Sequence, residues 1–160
     1  MPARDDLYRR YGPALLRKAQ RILQSREDAM DLVHTLFVEL LETGQSPDLP
    51  YLYRAVTNRC LNQVRDRQNR ARLLARQDPL LRGPVRTRCD DQVVGLDLLA
   101  KLVDRMDEAA AEVVVFRFFD DLSLEEIAEL CGQSRRTVSK RLERARAEIA
   151  RLLGPEEVRT

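Results

Sequence analysis

Cysteine and histidine are scarce in this 160-residue chain, and their placement excludes several kinds of chemistry. Cys60, Cys89 and Cys131 are odd in number, far apart, and never form a Cys-x-x-Cys pair. Such a set suits neither a disulfide scaffold nor a zinc site, and free thiols in a reducing compartment are expected. The sole histidine, His34, has no second metal ligand or nucleophile near it in sequence. A phosphate-binding glycine loop is also missing. No enzyme site can be assembled from these residues, so neither a catalytic role, a metal nor a cofactor is expected. No apolar run approaches membrane-spanning length. The N-terminus meets Asp5 and Asp6 before any apolar stretch, unlike a secretory leader. The expectation is a soluble, cytoplasmic protein. Period-two alternation is nowhere sustained, which argues against strands and for an all-α fold.

What the chain does have is charge, sorted into blocks beneath a net of only +2. Residues 26–42 set Arg26 against Glu27, Asp28, Asp31, Glu39 and Glu42. Residues 51–76 set Arg54, Arg59, Arg65, Arg67, Arg70, Arg72 and Arg76 against Asp66 alone. Acids dominate again from 97 to 131, and bases from 135 to 151. Two basic blocks on acidic scaffolding point to two polyanion-facing surfaces.

Helical periodicity organises the first half. A first helix is expected from about Asp5 to Gln24, with Leu7, Tyr11, Leu15, Ala19 and Ile22 near one face and Pro13 at a first turn or a kink. Ser25 can cap a second helix, with Asp28 reaching back three residues later. Its stripe Ala29, Leu32, Val33, Leu36, Phe37, Leu40 and Leu41 is strongly amphipathic. Gly44, Pro47 and Pro50 mark a loop, and a third helix runs from Tyr51 to about Arg72. Residues 77–92 (QDPLLRGPVRTRCDDQ) read as a linker between two small domains, 1–76 and 93–155. Fully extended, such a linker reaches roughly 50 Å at ~3.3 Å per residue. That exceeds one turn of DNA, about 34 Å. Helices are expected at about 93–106, 108–119, 124–131 and 135–153, stopped by Gly154-Pro155.

The second half carries the sharpest local signal. Ser123 and Glu126 form a capping box, Gly132 suits a left-handed turn, and Ser134 caps the next helix. Ala128, Gly132 and Val138 have the spacing of a helix-turn-helix: a small residue for close approach, a glycine turn, and an apolar lock. Val138, Leu142, Ala145, Ile149 and Leu152 face inward, while Arg135, Arg136, Ser139, Lys140, Glu143 and Arg144 lie opposite. Such a helix can enter the major groove. A helical hairpin with a solvated basic face is the plainer alternative. The joint presence of caps, small residue, glycine turn and basic face favours DNA.

Two surfaces of the first half remain open on composition alone. Arginines, Tyr51, Tyr53, Asn58 and Asn62 on one helix suit phosphates, unpaired bases and base edges, yet helical tyrosines are commonly core or rim residues. The acidic face Asp28, Asp31, Thr35, Glu39 and Glu42 is either solvated or a dock for a basic protein partner.

Taken together, the segments LYRRYGPALLRKAQRIL, SREDAMDLVHTLFVELLE, YLYRAVTNRCLNQVRDR and VVVFRFFDDLSLEEIAELCGQSRRTVSKRLERARAEI resemble the extracytoplasmic-function sigma factors of bacterial RNA polymerase, over nearly the whole chain. The resemblance implies regions 2 and 4 of the sigma-70 family: two small helical domains on a flexible linker, the second a helix-turn-helix of winged-helix-like class without a wing. It implies binding to core RNA polymerase and to promoter DNA, and restraint by an anti-sigma factor. Asp28, Asp31, His34 and Thr35 match positions that dock on the polymerase, which tips the acidic face towards docking. Tyr51, Arg54, Asn58, Arg59, Asn62 and Arg65 match the surface at the melted −10 element, with Asn58 near the pocket for a flipped-out base. Ser139, Lys140, Glu143 and Arg144 match −35 base-contacting positions, with Arg135, Arg136 and Arg141 on phosphates. The chain departs from the usual pattern at His34-Thr35 (commonly Gln-Glu), Tyr51 (commonly Trp) and Asn62 (commonly Asp). Glu143 either accepts from a cytosine amino group or turns outward. With no further domain evident, sensing is expected to lie in another protein. The alternatives are a polymerase-independent helix-turn-helix regulator with a helical dimerisation or sensory half, and an adaptor that kept the fold without DNA reading.

Overall fold

Residues 2–77 and 98–154 are described by the computed structural model, with side chains from residue 5 onward. Every regular element among them is helical. Helix α1 spans Pro2–Leu23, α2 Arg26–Thr43 and α3 Leu49–Gln77. A short helix, α4, covers 98–103 of the described residues. Then come α5 (Glu108–Val114), a π-helical turn (Val115–Phe119), α6 (Leu124–Cys131) and α7 (Arg135–Leu153). Of the expected linker, Gln77 ends α3 and the remainder lies outside the described residues, as do 93–97 and Cys89.

Local chemistry accounts for the boundaries. Ser25 caps α2 by accepting a hydrogen bond from the Asp28 N–H at 3.2 Å. The Asp28 carboxylate does not reach back as the sequence suggested. It pairs instead with Arg67 on α3, because a guanidinium in reach outbids a neutral backbone donor. Gly44 closes α2 in the left-handed region at φ 71°. Pro13 sits inside α1. Helix α3 is longer than expected at both ends. It begins at Leu49, so that Pro50 lies in its first turn and not in the loop. It continues past Arg72 to Gln77, well beyond the last buried position, Val64.

The inward stripes of α1, α2 and α3 form the larger core, with Leu15, Ile22, Leu23, Val33, Leu36, Leu52, Val56 and Leu61 almost fully buried. That core does not stop at the first half. Leu99, Val103, Ala111 and Val115 belong to the same contiguous cluster. A smaller core joins Val113 and Phe116 to Ile127, Cys131, Val138 and Leu142, and so holds the last two helices together. Burial of this kind contributes roughly 25 cal/mol per Å² of apolar surface. The two halves therefore share apolar packing, and their relative position is specified by it.

Candidate nucleic-acid interface

The helix-turn-helix is built as its sequence requires. Ser123 and Glu126 satisfy each other's backbone donors, at 3.1 Å and 2.7 Å, and open α6. Gly132 turns the chain at φ 62°, and the Gln133 N–H closes the turn on the Ala128 carbonyl at 2.9 Å. Ser134 caps α7 through the Thr137 N–H at 3.1 Å. Val138 is completely buried against Ile127 and Cys131, which locks α7 across α6.

Locking that face inward turns the other outward. Arg135, Arg136, Lys140, Glu143 and Arg144 are exposed, while Ser139 and Arg141 are half-buried. Leu124, Arg135, Arg136, Ser139, Lys140 and Glu143 line one shallow concavity. Arg135 pairs with Glu125 at 2.9 Å, both side chains well exposed. Such a surface pair is worth about 0–1 kcal/mol and exchanges readily for a phosphate. Arg141 hydrogen-bonds the Gln133 side chain and lies against the turn. Arg136, Lys140 and Arg144 have no ion-pair partner among the described residues.

On the first half, Tyr51, Arg54, Asn58, Asn62 and Arg65 fall along one side of α3, at i, i+3, i+7, i+11 and i+14. Tyr51 is 51% exposed, enough to offer its ring to a base. The Asn58 side-chain oxygen is buried with no hydrogen-bond partner. Orphaned acceptors of this sort are uncommon and call for an explanation, such as an incoming donor. Arg65 donates weakly to the Asn62 side chain at 3.4 Å and to the Val103 carbonyl at 3.5 Å. Arg59 leans away from this line, onto Glu39 of α2, and its hydrogen bond holds that carboxylate below its usual range. Arg54 is taken up by the second half: its Nε and a terminal nitrogen fork onto Glu112 at 2.7 Å and 3.3 Å.

Asp28, Asp31, His34 and Thr35 share the outer face of α2, and the last three are exposed. A groove of about 390 Å³ between α2 and α3 brings Asp28, Asp31 and Thr35 beside Arg59 and Asn62. The residues expected to dock and those expected at the −10 element are thus neighbours in space.

Sequence reasoning missed the seam between the halves. Lys18, Tyr53, Glu112, Phe116 and Asp120 meet there. Lys18 is 2% exposed, pairs with Asp120 at 2.5 Å, and lies over the Tyr53 ring at 3.9 Å. Burial lowers its pKa, and the Asp120 carboxylate opposes that shift. Burial, then Asp120, raises the pKa of the Tyr53 hydroxyl. A signal was available: Lys18 stands at i+7 from Tyr11 and i+3 from Leu15, on the inward stripe, where a lone charge needs a partner. Glu112, alone in the run AAAEVVVF, is its counterpart.

A family model for sigma-70 region 2 matches residues 7–70, and one for sigma-70 region 4 matches residues 96–149. The chain belongs to the sigma-70 family. Among its relatives, the RNA polymerase sigma factor SigV of Bacillus subtilis (strain 168) is 29% identical over 136 residues, covering 81% of this chain and 78% of SigV. The sigma factor NccH of Alcaligenes xylosoxydans xylosoxydans is 28% identical over 166 residues, covering 95% and 87% of the two chains. In structure, the chain is similar to the sigma factor RpoE of Bartonella quintana, solved together with the anti-sigma factor NepR. The TM-score is 0.50 at 20% identity, over 91% of this chain and 92% of that one. Among the described residues of this sigma-family chain, no helix is long and apolar enough to cross a membrane.

Proposed function

We propose that this sigma factor docks on core RNA polymerase through the outer face of α2, captures the opened −10 strand along α3, and reads the −35 element as duplex through α7. Asp28, Asp31, His34 and Thr35 form the dock. Tyr51, Arg54, Asn58, Arg59, Asn62 and Arg65 form the −10 surface. Ser139, Lys140, Glu143 and Arg144 contact −35 bases, with Arg135, Arg136 and Arg141 on phosphates. The working units are 1–76 and 93–155, with 77–92 between them. The protein acts in the cytoplasm and by binding alone, since strand opening can draw on captured bases and polymerase contacts.

One observation carries this reading. The outer face of α7 gathers Arg135, Arg136, Ser139, Lys140 and Glu143 into one open concavity, on a helix whose inner face is locked by Val138. The acidic α2 face, which borders α3, supplies the complementary charge for a basic polymerase surface. An anti-sigma factor is the regulatory partner we infer, since the structurally similar RpoE is solved with one. The test is run-off transcription with core polymerase on promoters selected from a library randomised at −35 and −10. Transcripts that depend on the added chain are expected, with initiation lost on promoters altered at −35. Core-dependent transcription that ignores both elements would rule the proposal out.

A further inference from the structure

Glu112, Phe116 and Asp120 recur every four residues along α5 and the π-helical turn, and all three point at the first half. The π turn keeps Asp120 on that side, through the Asp120 N–H to Val115 carbonyl bond at 3.2 Å. Each meets a side chain suited to nucleic acid. The Glu112 carboxylate sits in the fork of Arg54, the geometry in which a guanidinium also grips phosphate. The Asp120 carboxylate is held by Lys18 and by Arg21 at 3.0 Å, a second anion between two cations. Between them the Phe116 ring lies on Tyr53, centroids 5.6 Å apart and planes 25° from parallel, as a base stacks on an aromatic platform.

We propose that this face of the second half is a built-in stand-in for single-stranded DNA, and that Lys18, Arg21, Tyr53 and Arg54 form the strand-binding site it occupies. The two carboxylates take the places of two phosphates, and Phe116 that of a stacked base. The inference rests on the sigma reading above, and extends the strand site from α3 onto α1. It also creates an asymmetry. The α7 face stays exposed while the strand site is covered, so the closed chain meets duplex but must open before it holds a melted strand.

The test uses the full chain, a fluorescein-labelled 15-nucleotide single strand of random sequence read by anisotropy, and small-angle X-ray scattering. Glu112→Gln with Asp120→Asn removes both anions while keeping side-chain shape. It is expected to tighten strand binding about tenfold, the factor by which a site open one-tenth of the time is masked. The radius of gyration should rise above the roughly 15 Å of a compact chain of this length. Adding Arg21→Ala to the double variant should cancel the gain. The unaltered chain, saturated with strand, should expand as well, because strand and stand-in compete for one site. Unchanged strand affinity in the double variant would overturn the proposal, as would strand binding by an unaltered chain that stays compact. Co-migration of the same unaltered preparation with core polymerase separates the two readings. If it is absent, the sigma reading fails; if it is present and strand affinity does not respond, only the stand-in fails.

Discussion

Lys140 stands on the outer face of α7 with its ammonium unpaired among the described residues, so none of those residues competes with DNA for it. Lys140→Ala is expected to cost about 1–3 kcal/mol in −35 duplex binding at fixed salt, the range for a lost base contact. Titration with labelled −35 duplex measures it, and an unchanged affinity would place Lys140 outside the interface. Asp31, exposed on α2, is expected to act on the other partner. Asp31→Arg should weaken binding to core polymerase while sparing −35 duplex, a split that a general folding defect would not give. Cys60 bears on packing. Burial pushes its thiol up to about 12, against an ordinary value of 9.0. An unfolded chain therefore ionises this thiol first, so its burial favours the fold fully below pH 9.0 and progressively less as the pH rises towards about 12. At pH 8 native Cys60 should resist iodoacetamide, and unfolding in urea should expose it, as peptide mass spectrometry would read.

Helices carry their instructions locally, and the helix-turn-helix shows how far that reaches. Ser123→Ala removes the hydroxyl that caps α6 and should lower stability to urea by about 1 kcal/mol. At Gly132 a methyl group meets nothing within 4 Å, so Gly132→Ala should cost only the left-handed backbone penalty, about 1–2 kcal/mol. These features were legible because capping box, glycine turn and apolar stripe all act within a few residues. The α6 and α7 spans follow from them residue for residue. Legibility falls where a residue has a choice of partners. Asp28 looked like a reciprocal cap, yet it bonds Arg67, which is 39 residues away. The Lys18–Asp120 pair, 102 residues apart, leaves only the faint mark of a charge on an apolar stripe.

At the scale of the molecule, the expected picture of two units on a strap acquires a shared core and a charged seam. Leu99, Val103, Ala111 and Val115 extend the first-half core, and Arg72 pairs with Asp104 as Arg54 does with Glu112. A single chain thus holds the proposed −35 face open and part of the proposed −10 face engaged with itself. Such an arrangement suits a protein whose strand-binding activity matters only once it is seated on its partner. Seating on that partner is the central claim, and it is tested most directly by mixing the purified chain with bacterial core RNA polymerase and following both by size-exclusion chromatography. The chain should move into the polymerase fraction at low and moderate salt, and Asp31→Arg should leave it behind. A chain that elutes alone at every salt concentration, while still folded and still binding duplex DNA, would contradict the claim.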